Sequence, residues 1–380
     1  LLYSKNKNEV IETMDFFVLA DAYSIENVDT GIRRMLHLVW MKSNNDEGTN
    51  VATHLVECYK NLFLLAPDDS SELEAAALIA KNLISLTYSA TVPELASLEK
   101  LLGLMYEASL INETVVKVLW QIYSFQSQNF SKKQRRGAII VLGMLALSDN
   151  DISMKGIDAL LNVGLGEKGK EDLVLAKYSC IALNRVIPQD KKHDTFKVPR
   201  EKEAIDKLAN VLIEYNSNSE YYSVAEQAIN TIFNIASRPE DVATEIIKQK
   251  TKLTFGSSHE NESQVVSLSQ LLFIVGHISI KVIVHLEALE AQFKKKKIEA
   301  EITKAKGDKN EEEANELEMI GGTSEDDFAD AVAFIKEKEL LYGEHSLLSK
   351  FGPLVKEICS NNLKYDNKIL QRSAVLCMEK

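Results

Sequence analysis

Residues 136–146 read Arg136-Gly-Ala-Ile-Ile-Val-Leu-Gly-Met-Leu-Ala146, an apolar helical face with small residues at intervals and a basic run ahead of it. Related patterns return at Lys177-Tyr-Ser-Cys-Ile-Ala-Leu-Asn184, at Ala225-Glu-Gln-Ala-Ile-Asn-Thr-Ile-Phe233 and at Leu268-Ser-Gln-Leu-Leu-Phe-Ile-Val-Gly276. Superposing them brings Gly143, Asn184, Phe233 and Gly276 into register, at spacings of 41, 49 and 43 residues. A period of ~40–47 residues made of helical pairs marks a HEAT-type array. The expected fold class is all-α, a HEAT-repeat α-solenoid of stacked antiparallel helix pairs. In such an array each helix buries its apolar stripe only against its neighbours, so function belongs to the surface rather than to a central pocket.

The rest of the chain agrees. Twelve apolar stripes at three- and four-residue steps lie between residues 10 and 253, and strand-like alternation is nearly absent. All six prolines fall at expected helix edges: Pro93, Pro199 and Pro239 suit first turns, and Pro67 and Pro188 follow helices. Asp68-Asp-Ser-Ser71, Asn112, Ser131, Ser153 and Ser219 are candidate N-caps, because their side-chain oxygens can accept first-turn N–H groups. Lesser breaks are expected near residues 44–48, 164–169, 190–198 and 256–262.

The formal net charge of −12 is unevenly spread. Residues 299–330 hold twelve acidic side chains against three lysines, so the remainder is close to neutral and a polyanion-binding face stays open to it. The expected organisation is a HEAT array over 1–293, a charged and mobile insert over 294–323, and a continuation of the array over 324–380. The insert has too few apolar residues to offset its ordering entropy. The four cysteines, Cys58, Cys180, Cys359 and Cys377, are widely spaced and read as thiols of a reducing compartment, without a zinc cluster. Residues 271–286 are the most apolar run, interrupted by Gly276, His277, Lys281 and His285, and read as a core helix rather than a membrane span. The polar start and the helical pattern at Lys380 suggest a piece of a longer protein.

Catalytic constellations are missing from the sequence. There is no HExxH, GxSxG or Walker loop. Gly164-Leu-Gly166-Glu-Lys-Gly169 spells GxGxxG but follows a helical stripe instead of a strand, so it reads as an inter-helix loop, and no cofactor is expected. His277 and His285 lie eight residues apart on one helix, too far to share a metal; they read as interface residues, with Gly276 allowing close helix packing. Lys132, Lys133, Arg135 and Arg136 open a helix, where cations and free amides suit a phosphate backbone. The alternative for them is a solvated basic edge or a salt-bridge seam to an adjacent repeat. Lys294, Lys295, Lys296 and Lys297 could bind nucleic acid, serve as a localisation patch, or pair with the following acids.

Several stretches resemble the HEAT-repeat non-SMC subunits of condensin, the condensin complex subunit 1 family. They are Tyr222-Ser-Val-Ala-Glu-Gln-Ala-Ile-Asn-Thr-Ile-Phe-Asn-Ile-Ala236 with Arg238-Pro-Glu-Asp241, Phe273-Ile-Val-Gly-His277 with Val284-His-Leu-Glu287, and Lys338-Glu-Leu-Leu341. Met35-Leu-His-Leu-Val-Trp40 and Cys58-Tyr-Lys-Asn-Leu-Phe63 fit as well. The resemblance implies a chromosome-organising subunit without an active site, located in the nucleus and on chromosomes with a cytoplasmic pool. It also implies three partners: a kleisin subunit, an SMC ATPase head and double-stranded DNA held by its phosphates, with no membrane. Mitotic phosphorylation regulates that family. Here no proline follows Ser or Thr, and Thr323 and Ser324 instead suit an acid-directed kinase. The alternative reading is a karyopherin-like transport scaffold binding basic cargo, for which small-GTPase binding would discriminate.

Overall fold

The computed structural model describes residues 1–41, 51–125, 129–188, 197–256, 261–305, 325–341, 346 and 348–380. Every regular element among them is helical, and the fold is all-α with HEAT-type packed helices. The described residues form two compact units, Leu1–Ala204 and Ile205–Lys380. Most of the loops expected at 44–48, 190–198 and 256–262 lies outside the described residues, as do residues 306–324 with Thr323 and Ser324.

The first unit begins with α1 (Lys7–Ala22), α2 (Val28–Met35), which tightens into a 3-10 turn (Leu36–Trp40), and α3 (Val51–Phe63). Then come α4 (Glu72–Leu86), α5 (Val92–Glu107), α6 (Glu113–Tyr123) and α7 (Lys132–Ala146). It closes with α8 (Asp151–Lys155), α9 (Ile157–Ala159) widening into a π turn (Leu160–Gly164), α10 (Glu167–Glu171) and α11 (Leu173–Asn184). The helix starts are chemically defined. Ser71 forms a capping box with Glu74 and Ser131 one with Gln134, and the Asn112 side chain accepts the Val115 N–H. Two expected caps do other work. Ser153 is buried inside α8 and donates to the Ala182 carbonyl at 2.7 Å, whereas α13 (Tyr221–Ile235) starts at Glu220 with no side-chain cap from Ser219.

Helix α7 is the centre of this unit, packed by α4, α5, α6, α8 and α11. Eleven of its fifteen residues are buried, including Gly137 through Ala146 without a break. A helix apolar on every side has to be enclosed on every side. The expected loop at 164–169 is instead a π turn followed by a helical turn, and its three glycines answer to crowding. A Cβ at Gly164 would sit 2.1 Å from Ser179 Oγ, one at Gly166 2.1 Å from the Asn162 carbonyl oxygen, and one at Gly169 1.8 Å from the Gly164 carbonyl oxygen. The GxGxxG spelling is thus a packing signature.

Helix α12 (Glu201–Ile213) carries the boundary; α13, α14 (Pro239–Gly256) and α15 (Asn261–Ala305) follow. Then come α16 (Glu325–Phe334), a π turn (Ile335–Leu341), a 3-10 turn (Ser349–Phe351), α17 (Gly352–Ser360) and α18 (Lys368–Glu379). One described helix, over Ser263–Ile298, is long and apolar enough to cross a membrane. Within this unit that helix, α15, packs against α13, α14, α16 and α18, with Leu271, Leu272, Ile274, Val275 and Ile278 buried. It continues past Phe293 through Ala305. Lys294 pairs with Glu290 one turn back at 3.1 Å, and the Lys, Glu and Ala that follow are good helix formers.

The seam between α15 and α18 is tight at Gly276, where an added Cβ would lie 2.8 Å from the Cα of Cys377. Backbone cannot yield as a flexible side-chain end can. Gly276→Val should therefore destabilise the chain by roughly 1–3 kcal/mol in urea unfolding. Gly352→Ala, whose Cβ would meet nothing within 4 Å, should leave the midpoint nearly unchanged.

Candidate functional site

The basic run at the start of α7 divides by direction. Lys132 and Lys133 are exposed. Arg135 is buried; it donates from Nη1 to the Ile122 carbonyl at 2.8 Å, and its guanidinium stacks 3.8 Å over the Phe125 ring. Ile122 lies in the last turn of α6, where carbonyls lack intrahelical donors and the macrodipole is negative. Arg136 reaches the start of α11, donating from Nε to Asp172 Oδ2 at 2.8 Å and from Nη2 to Oδ1 at 2.8 Å. Asp172 is itself the N-cap of α11, accepting the Leu175 N–H at 3.2 Å, and Lys132 Nζ lies 3.8 Å from its Oδ2. Lys133 sits 4.1 Å over the Tyr88 ring. The arginines therefore join α7 to α6 and α11, and the two lysines are the members of the run that face solvent.

The same device recurs where periodicity gave no hint of it. Arg33 donates to the Tyr88 carbonyl just beyond α4 at 2.6 Å, and Arg185 Nη1 to the Gly143 carbonyl in the last turn of α7. In the second unit Lys250 is buried, with Nζ 3.1 Å from the Ile213 carbonyl, 3.3 Å from that of Glu214 and 3.1 Å from Gln270 Oε1. Burial pushes its pKa down to about 8. Sequence reading missed all three. The available signal was a cation inside an apolar stripe, as with Lys250 beside Ile246 and Ile247.

Gly276 and His277 occupy the α15–α18 seam. The His277 ring is buried and parallel to Phe273, with Nε2 3.1 Å from Asn230 Oδ1 and Nδ1 3.1 Å from Lys380 Nζ. An ammonium has only protons to give, so Nδ1 accepts, and Nε2–H donates to Asn230. Burial first, and then the charges of Lys380 and Lys281, push the His277 pKa down to about 4. Earlier on α15, Ser269 Oγ bonds Ser373 Oγ at 2.8 Å and Tyr222 Oη at 2.9 Å. His285 is half-buried and meets Phe233 edge-on, with centroids 6.2 Å apart. Lys294 and Lys297 are half-buried on α15, and Lys295 and Lys296 exposed.

Among the described residues, Asp15, His54 and Cys58 form a group whose ligand atoms lie within 4.8 Å of one another. Its chemistry is that of a pair: His54 Nε2 lies 2.8 Å from Asp15 Oδ1. The Cys58 thiol is pushed up to about 11 by burial and then by the charges of Asp15 and Glu57. Cys58 and Cys180 are buried, Cys359 and Cys377 half-buried, and none of the four is in a disulfide.

No protein-family model matches the chain. It is 50% identical over 422 residues to condensin complex subunit 1 of Saccharomyces cerevisiae, a match covering 100% of this chain and 35% of that protein. To condensin complex subunit 1 of Schizosaccharomyces pombe it is 42% identical, with coverage of 100% and 35%. To that of Xenopus laevis it is 26% identical, with coverage of 100% and 29%. The chain thus spans about a third of the length of the curated relatives it matches.

Two measurements check this geometry. Asp172→Ala, which removes both the N-cap and the Arg136 pair, should cost roughly 2–3 kcal/mol, and Asp172→Asn, which keeps a capping oxygen, about 1 kcal/mol. In urea unfolding, an unchanged midpoint for Asp172→Asn would contradict the pairing, and equal losses in the two variants would contradict the cap. For His277 the folded value lies below the ordinary 6.5, so between pH 6.5 and about 4 the unfolded state binds the extra proton. Stability should fall as pH drops through that window, and His277→Gln should flatten the slope.

Proposed function

The chain belongs to the condensin complex subunit 1 family, homologous throughout to one segment of those longer proteins, and we propose that it works without catalysis as a scaffold segment of a condensin-type complex. The observation that carries this reading is homology over the whole chain, present on a fold whose helices bury their apolar stripes against one another. Such an array offers outer faces and helix ends as its working surface. On this reading the segment contributes to holding a kleisin subunit, an SMC ATPase head and double-stranded DNA, on chromosomes in the nucleus. ATP hydrolysis belongs to the partner.

For DNA, the reading narrows to solvent-facing cations. Lys132 and Lys133 at the start of α7, and Lys295 and Lys296 on α15, present ammonium groups outward. Arg135 and Arg136 are engaged by Ile122 and Asp172 and are left out. Compact ammonium charges of this kind neutralise phosphates without reading bases.

Charge reversal tests it. The variants Lys132→Glu/Lys133→Glu and Lys295→Glu/Lys296→Glu, in the full-length subunit within its complex, should weaken duplex binding. Each should also make the plot of log affinity against log salt shallower, by about 0.9 for every phosphate no longer neutralised. Thermal unfolding of each variant, measured alongside, separates lost binding from loss of the Lys132–Asp172 and Lys133–Tyr88 contacts. Wild-type affinity and slope in both variants would remove the DNA role from these residues.

A further inference from the structure

We infer that a cleft between α14 and α17 docks an acidic peptide segment of another protein, anchored by one bulky apolar side chain. This rests on the reading that the chain acts by binding. The cleft encloses about 450 Å³, within the ~300–1,000 Å³ of typical ligand sites. Phe351 is buried in its floor, Leu354 is half-buried beside it, and Phe255 forms a wall that is 57% exposed. Lys248 and Lys252, one turn apart on α14, and Lys350, ahead of α17, line the same cleft and are exposed. Among the described residues, no ion pair or hydrogen bond engages the side chains of these three lysines, and no carboxylate lines the cleft.

Three ammonium groups around an apolar hollow make a composite demand. Carboxylates on the ligand answer the rim, and an aromatic or aliphatic side chain answers the hollow, where burial of an aromatic anchor supplies most of the affinity. A DNA backbone would satisfy the lysines, but its outer face offers no apolar group to cover Phe255. A neutral hydrophobic peptide would fill the hollow while leaving three like charges crowded at its edge. An acidic segment with an apolar anchor meets both demands at once.

The test is selection of a random twelve-residue peptide library, displayed on phage, against the whole chain. The variant Lys248→Glu/Lys252→Glu/Lys350→Glu serves as the parallel target. Enriched sequences on the native chain should carry two or more acids flanking an aromatic or aliphatic residue, and the variant should not retain them. The synthetic consensus peptide should bind at least tenfold more weakly to the variant. To Phe255→Ala it should bind at least fivefold more weakly, with the melting temperature unchanged because that ring is exposed. Absence of enrichment, enrichment of neutral or basic peptides, or equal binding to the variants would overturn the inference. So would duplex DNA binding that disappears with the same charge reversal while no peptide is enriched. None of these outcomes bears on Lys132 and Lys133, whose DNA role is measured separately.

Discussion

An α-helix ends with four carbonyls that have no partner in the helix, and a stack of helices buries many of those ends where water cannot serve them. In this chain the missing donors come from the side chains of other helices. Arg33 serves the turn after α4, Arg135 the end of α6, Arg185 the end of α7, and Lys250 the end of α12. Asn82 does the same for the Phe63 carbonyl at the end of α3, at 3.0 Å. Each of these bonds satisfies an acceptor that the stack encloses, and the cations among them also set a positive charge at the negative pole of a helix. Apolar stripes decide that helices pack. These polar bonds fix where each helix ends against another.

The constraint reaches into function by removing charge from the surface. A run such as Lys132-Lys133-Gln-Arg135-Arg136 suggests four cations facing solvent, but the enclosure of α7 on every side turns two of them inward. Arginine suits that work, since its planar fork can stack on Phe125 or grip both oxygens of Asp172. Lysine is left for the exposed positions, where a flexible point charge fits a phosphate chain or a carboxylate ligand. Lys250 is a buried lysine in the same role, and it loses basicity through burial.

In the second unit, the α15–α18 seam combines close backbone approach with polar pairing. Gly276 permits the approach, while the Ser269, Ser373 and Tyr222 hydroxyls and the His277–Asn230 hydrogen bond satisfy polar groups that the approach buries. A neutral His277 is a consequence of that arrangement. Its proton is placed by an ammonium on one side and an amide oxygen on the other.

How much could be read beforehand follows from distance along the chain. Helices repeat every few residues, so α7, α11, α13 and α15 and the caps at Ser71, Asn112 and Ser131 were legible from local pattern. The direction of a side chain was not, because its partner lies elsewhere in sequence: Ile122 is 13 residues from Arg135, and Asp172 is 36 from Arg136. The glycines of 164–169 mislead for the same reason, their cause being crowding by Ser179, Asn162 and one another. By itself the sequence determined that this chain is helical and repeating, since composition and period are properties of the chain alone, and its quoted stretches carried the resemblance to a condensin subunit. Only the tertiary structure decided which charges face inward to close helix ends and which remain outside. That choice depends on which helices come to enclose one another.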